Sequence, residues 1–192
     1  MPLFNHFGFL APYYDRVIPL KQCDELINVI GLPTSGLLLD AGGGTGRVAQ
    51  QLREMVSNIV IADMSIGMLN QAARKGGLIT VGSSTEKLPF PDKTFEKVIM
   101  VDALHHVCDH RQTIAELWRV LRPGGRIVIE EPDVRKISVK FIALAEKLAL
   151  MRSHFINPQR IKTLFDHLDA NTSIQMNGFN AWVVADKVSK EH

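Results

Sequence analysis

Cysteine is scarce in this 192-residue chain: there are two, Cys23 and Cys108, far apart in sequence. That excludes a disulfide-stapled scaffold and suits reduced thiols. Long hydrophobic runs are also missing. The apolar stretches, such as 37–39 and 98–101, are strand-length and fall well short of the ~20 residues needed to cross a bilayer. The opening Met1-Pro2-Leu3-Phe4-Asn5-His6 has no basic region followed by an apolar run, so no secretory signal is expected. Charge of one sign is not in excess either. Lys and Arg number 22 against 20 Asp and Glu, and no basic stripe interrupts the chain, which gives a nucleic-acid partner no electrostatic footing. Repeats and low-complexity segments are lacking. A cytoplasmic globular protein of one domain (1–192) is expected, long enough to bury roughly 70% of its unfolded surface.

Positive signals begin at the N-terminus. Residues 1–20 are aromatic and proline-punctuated (Phe4, Phe7, Phe9, Pro12, Tyr13, Tyr14, Pro19), which predicts a folded-back arm. Cys23, Leu26, Ile27 and Ile30 recur at helical spacing, and Gly31 with Pro33 stops that helix. Strands are expected at 37–39, 59–61, 78–81, 95–101 and 126–130. Between them run helices carrying Val48, Leu52 and Met55; Met68, Leu69 and Ala72 behind an N-cap at Ser65; and Ile114, Leu117, Trp118 and Leu121. A long helix near 138–151 follows, with Phe141, Leu144, Ala145, Leu148 and Met151 on one face. Asn157 and Pro158 then open a helix bearing Ile161, Leu164, Phe165 and Leu168. Strands near 172–176 and 181–185 are joined by an Asn177-Gly178 hairpin signal. Such alternation implies an α/β, doubly wound, mostly parallel sheet with one antiparallel edge. Ligands of these folds sit beyond the carboxyl ends of the strands.

The segment Asp40-Ala41-Gly42-Gly43-Gly44-Thr45-Gly46 lies at one such end. A glycine loop alone is shared by nucleotide, flavin and nicotinamide sites. A dinucleotide fingerprint starting at Gly42 would need a small residue at position 47, which is Arg47. Asp40 would repel a pyrophosphate on the helix N-terminus and attract an ammonium. S-adenosylmethionine offers an ammonium and a sulfonium. The bland alternative is that Asp40 caps the next helix. Asp63, ending the second strand, can accept both hydroxyls of a ribose; otherwise it forms an Asx turn. Met64 can pack on an adenine or be plain core.

Taken together, LLLDAGGGTG (37–46), IADMS (61–65), EKLPFPDKTFEKV (86–98), ALHHV (103–107) and LRPGGRIVI (121–129) resemble the class I methyltransferases. The likeness is greatest to the ubiquinone/menaquinone-biosynthesis C-methyltransferase-like branch. It implies a Rossmann-like seven-stranded sheet of order 3-2-1-4-5-7-6 with an antiparallel terminal strand. It also implies S-adenosyl-L-methionine as cofactor, with Asp40, Gly42, Gly44 and Gly46 at the methionine end, Asp63 on the ribose and Met64 beside the adenine. Asp102 would border the methionine and the reacting centre. APYYDRVIP (11–19), with Tyr14, resembles the arm that closes over the cofactor. One departure stands out: the family usually has an acidic residue where this chain has Ser84, followed by Thr85. A hydroxyl can accept from the adenine amino group, but more weakly than a carboxylate.

Methyl transfer needs alignment, and a base only where the acceptor must lose a proton. His105 and His106 stand where a base could act, with His106 the preferred candidate; the alternative is that both shape the next helix. His105, His106, Cys108 and His110 crowd one short segment, and no metal site is expected. The Phe-rich arm and apolar helix favour a small, apolar or aromatic acceptor. A nicotinamide oxidoreductase and a catalytically silent adenosyl-cofactor-binding domain are the competing readings.

Overall fold

A computed structural model describes residues 24–132, 156–178 and 180–189. Seven strands form one sheet in the order β3-β2-β1-β4-β5-β7-β6. They are β1 (Leu37–Ala41), β2 (Asn58–Asp63), β3 (Ile79–Gly82), β4 (Phe95–Val101), β5 (Leu121–Pro132), β6 (Ala170–Asn177) and β7 (Asn180–Lys187). β1 through β5 pair in parallel, while β7 runs antiparallel to both β5 and β6. The expected order therefore holds, although the antiparallel strand is interior and β6 forms the edge. The arm with Tyr14, Cys23 and the expected helix near 138–151 lie outside the described residues.

Side chains of each strand divide between two cores because a strand's residues alternate faces. Leu38, Ile59, Ile61, Ile99, Val128 and Val184 face α1 (Asp24–Ile30), α2 (Ala49–Leu52) and α3 (Ile66–Arg74). Leu39, Val98, Met100, Ile127, Ile129 and Val183 face α4 (His110–Val120) and the helix α5 (Pro158–Thr163). This explains why the triple-leucine run of β1 is apolar without alternation: helices cover both sides of it. Each fully buried Leu or Ile contributes about 2 kcal/mol by leaving water.

Caps behave as their chemistry dictates. Ser65 accepts from the Met68 N–H, Asn157 from the Arg160 N–H, and Pro158 fills the first turn of α5. Gly31, at φ 76, ends α1 and donates back to Ile27 and Asn28. Arg126 grips both carboxylate oxygens of Asp186 at 2.6 and 3.0 Å and donates to the Val29 carbonyl, binding α1 to the sheet. β5 starts earlier than its apolar run suggests. Leu121 pairs with Phe95, and the register shifts before Lys97 pairs with Arg126, so Pro123-Gly124-Gly125 forms a bulge. Chain order reverses about β1, with β2 on one side and β4 on the other, and this puts the switch point at the carboxyl ends of β1 and β4.

Candidate functional site

The glycine loop leaves β1 at this switch point. Gly42 donates to the Ala62 carbonyl at 2.7 Å, Gly46 closes a turn onto Gly43 at 2.9 Å, and Gln50 donates to Gly46 as the helix begins. The glycines serve distinct ends. Gly42, at φ 74, sits so close to the end of β4 that a Cβ would lie 2.7 Å from the Ala103 Cβ. At Gly43 a Cβ would lie 2.5 Å from the Asp40 carboxyl carbon, so Asp40 is tucked beneath the loop. Gly44 has one described atom within 4 Å of its missing Cβ, Asp63 Oδ2 at 4.0 Å, so among the described residues the space above it is open.

Asp63 does form the Asx turn, accepting from the Ser65 N–H at 2.7 Å through Oδ1. Its Oδ2 accepts from the Gly44 N–H at 3.0 Å, so the same carboxylate shapes the glycine loop. Burial raises the Asp63 pKa, and the N–H groups of Ser65, Gly44 and Met64 oppose that rise. Asp40 is 1% exposed, and its Oδ2 has no hydrogen-bond partner among the described residues. Its pKa is pushed up to about 7, first by burial and then by Asp63, with Arg47 pulling the other way. Asp40 does not cap α2, whose N-cap is Val48 and lacks any side-chain bond.

Arg47 is buried and reaches Asp102 at 3.8 Å. Asp102 holds a left-handed φ of 51°, fixed by its N–H donating to the Glu130 carbonyl at 3.0 Å. Asp40 and Asp102 thus share one guanidinium, while Asp63 is held by backbone N–H groups. Met64 is 75% exposed and Ile66 60%, so Met64 is not core; it offers apolar surface beside Asp63. At the end of β3, Ser84 Oγ accepts from the Glu86 N–H at 3.1 Å, Thr85 is buried, and Ser83 Oγ is a buried hydroxyl with no described partner.

His105 and His106 form a 3-10 turn after β4, their rings 4.0 Å apart. His105 Nδ1 meets Glu131 Oε2 at 2.6 Å, and Glu131 Oε1 accepts from the Leu104 N–H at 2.7 Å. Burial and the neighbouring His105 push the His106 pKa down to about 3, so His106 is uncharged at neutral pH. Glu86 fastens this turn to the loop after β3 by accepting from the Cys108 and Asp109 N–H groups.

The structure therefore brings Asp40, Gly42, Gly44, Gly46, Asp63, Met64, Asp102 and Ser84 to the carboxyl ends of neighbouring strands, with His106 on the turn beyond β4 and Tyr14 outside the described residues. Sequence reasoning uses Arg47 only against a dinucleotide fingerprint and passes over the roles of Ser83, Glu86 and Glu131. Only Glu131 leaves a signal, a carboxylate pair ending an apolar strand. Space above Gly44 among the described residues, a buried Asp40 oxygen without a described donor, and an apolar surface beside the Asp63 carboxylate fit an adenosyl ligand with a cationic amino-acid end.

Comparison with known proteins agrees. Residues 39–129 match the methyltransferase domain family. The chain is 32% identical over 115 residues to the ubiquinone/menaquinone biosynthesis C-methyltransferase UbiE of Enterobacter sp. (strain 638), covering 55% of this chain and 46% of that protein. It is 31% identical over 142 residues to the same enzyme of Coxiella burnetii (strain RSA 331 / Henzerling II), covering 65% and 57%. The chain spans about half the length of the curated relatives it matches. In fold it is similar to an S-adenosylmethionine-dependent methyltransferase of Thermotoga maritima, with TM-score 0.78, 20% identity, and coverage of 94% and 98%. In its matched domain, its relatives and its sheet order, the chain is similar to the class I S-adenosylmethionine-dependent methyltransferases, and among these to the ubiquinone/menaquinone C-methyltransferases.

Proposed function

We propose that this protein, acting as a single cytoplasmic domain, transfers a methyl group from S-adenosylmethionine to a small apolar or aromatic acceptor. The observation that carries this reading is the open glycine cradle over Asp40, flanked by Asp63 and Asp102 at the switch point. The bound cofactor supplies an electrophilic methyl group. Asp63 accepts from the ribose hydroxyls, Met64 with Ile66 covers one face of the adenine, and Ser84 with Thr85 meets its amino group. Asp40, Gly42, Gly44 and Gly46 receive the amino-acid end, Asp102 borders the reacting end, and Tyr14 closes from the arm. The protein's part in an in-line displacement is alignment, which lowers the barrier by up to about 7–11 kcal/mol. His106 faces the acceptor as an uncharged imidazole. At so low a pKa His106 is a weak base, so toward a phenol or an activated carbon it serves as a hydrogen-bond acceptor that orients the acidic proton.

Thermal unfolding with S-adenosylhomocysteine, S-adenosylmethionine, NAD and NADP tests the cofactor assignment. The adenosyl compounds raise the midpoint and the nicotinamides do not. A shift with NAD alone overturns the reading. Transfer of labelled methyl to a panel of phenols and quinols then tests turnover; tight cofactor binding with no transfer to any acceptor favours the silent binding domain.

A further inference from the structure

The acidic floor of the site is unevenly supplied with donors. Asp63 accepts backbone N–H groups on both oxygens, whereas Asp40 Oδ2 is buried with no described partner and roofed by Gly43. The charged groups facing Asp40 are Asp63 from β2 and Arg47 from the start of α2. Arg47 is shared with Asp102 beyond β4, so its charge is divided between carboxylates. Of two neighbouring carboxyl groups, the one that is more deeply buried and lacks donors keeps the proton. That group is Asp40.

We propose that Asp40 is a proton-exchanging specificity determinant: a ligand ammonium settling on the glycine loop expels the Asp40 proton to solvent, and its departure restores it. The inference rests on the cofactor reading above. The Asp40 O–H bond breaks, the proton passes to buffer, and the ammonium stays an ammonium. Because Asp40 lies beneath the Gly43 backbone, it acts on the ligand by charge and not by exposure at the surface. The site then favours adenosyl ligands that carry a cationic amino-acid end over those that lack one.

Calorimetric titration of the full chain with S-adenosylhomocysteine, in buffers of different ionisation enthalpy, reads the exchange directly. The expected result is release of about one proton per ligand near pH 6 and almost none near pH 8. Apparent affinity is then about tenfold weaker at the lower pH, since only the ionised form receives the ligand. 5′-Methylthioadenosine, which has no amino-acid end, binds without proton release and with pH-independent affinity. Asp40→Asn abolishes release with S-adenosylhomocysteine; the methylthioadenosine comparison uses the unaltered chain and stands even where that variant does not fold. Binding of S-adenosylhomocysteine without release near pH 6, equal release by methylthioadenosine, or release persisting in folded Asp40→Asn overturns the inference alone. Failure of S-adenosylhomocysteine to bind at either pH overturns the cofactor reading and the inference with it.

Discussion

The Gly44 N–H donates to Asp63 Oδ2 at 3.0 Å, fastening the middle of the glycine loop to a strand end nineteen residues further on. The other oxygen holds the Ser65 N–H, at the entry to α3. Loop shape and the proposed ribose acceptor are therefore one unit. Asp63→Ala should lower stability by ~1–3 kcal/mol, because two backbone donors lose their partner. It should also weaken S-adenosylhomocysteine binding about tenfold or more. Asp63→Asn keeps one acceptor oxygen and should lose less of both. Urea denaturation paired with calorimetry separates the two effects, and unchanged stability in the alanine variant would remove the tie from the account.

Asp40 makes folding pH-dependent. Its pKa rises from 3.8 to about 7 on folding, so the folded state retains a proton that the unfolded chain gives up. The resulting penalty is absent below the unfolded value, grows as pH rises from about 4 to about 7, and is constant above that, at roughly 4 kcal/mol at most. Asp40→Asn should accordingly melt higher than the parent near pH 8 in the absence of ligand, with the advantage shrinking toward pH 5. Melting curves across that range check it; a constant offset at every pH would mean Asp40 does not titrate there.

Ser84→Asp should tighten cofactor binding about fivefold, or ~1 kcal/mol, by giving the adenine amino group a charged acceptor. The Ser84 hydroxyl now accepts from the Glu86 N–H, and an aspartate can keep that turn with one oxygen while offering the other. An analogue without the exocyclic amino group should gain nothing. Equal gain for the analogue would instead point to attraction of the sulfonium by the added charge.

Glu131→Ala should cost ~3 kcal/mol or more, since it strands His105 Nδ1 and the Leu104 N–H in an interior where His105 is 4% exposed. Glu131→Gln retains a carbonyl oxygen and should cost less. Chemical denaturation ranks the variants, and equal stability of alanine variant and parent would exclude a structural role for the contact.

The strands are legible in the sequence because local pattern and burial agree. Leu37-Leu38-Leu39 is apolar throughout as a strand covered on both faces must be, and Ser65 and Asn157 mark helix starts through chemistry that acts within three residues. The hairpin is legible too, though the Asn177↔Asn180 pairing moves its turn one residue on, to begin at Gly178. Other features depend on contacts that sequence spacing does not encode. Pro123-Gly124-Gly125 reads as a turn into a strand that starts at Arg126, yet Leu121 is already paired with Phe95. Asp63 carries both readings at once, because a carboxylate has enough lone pairs for a turn and a distant loop. Glu131 finds His105 twenty-six positions away only because β4 and β5 are neighbours.

The interior position of β7 shapes how the chain is made. β5 is complete at Pro132, but its second neighbour begins at Asn180, after β6, which pairs with β7 alone. At ~5–20 residues per second, a ribosome leaves the outer edge of β5 unpaired for roughly several seconds. That edge carries Ile127-Val128-Ile129, an apolar triplet able to template pairing with a foreign strand. Arg126 before it and Glu130-Glu131 after it bracket the triplet with charge, a placement that discourages such pairing until β7 arrives. Side chains that clamp Asp186 and receive Trp182 in the finished sheet thus also guard the growing chain.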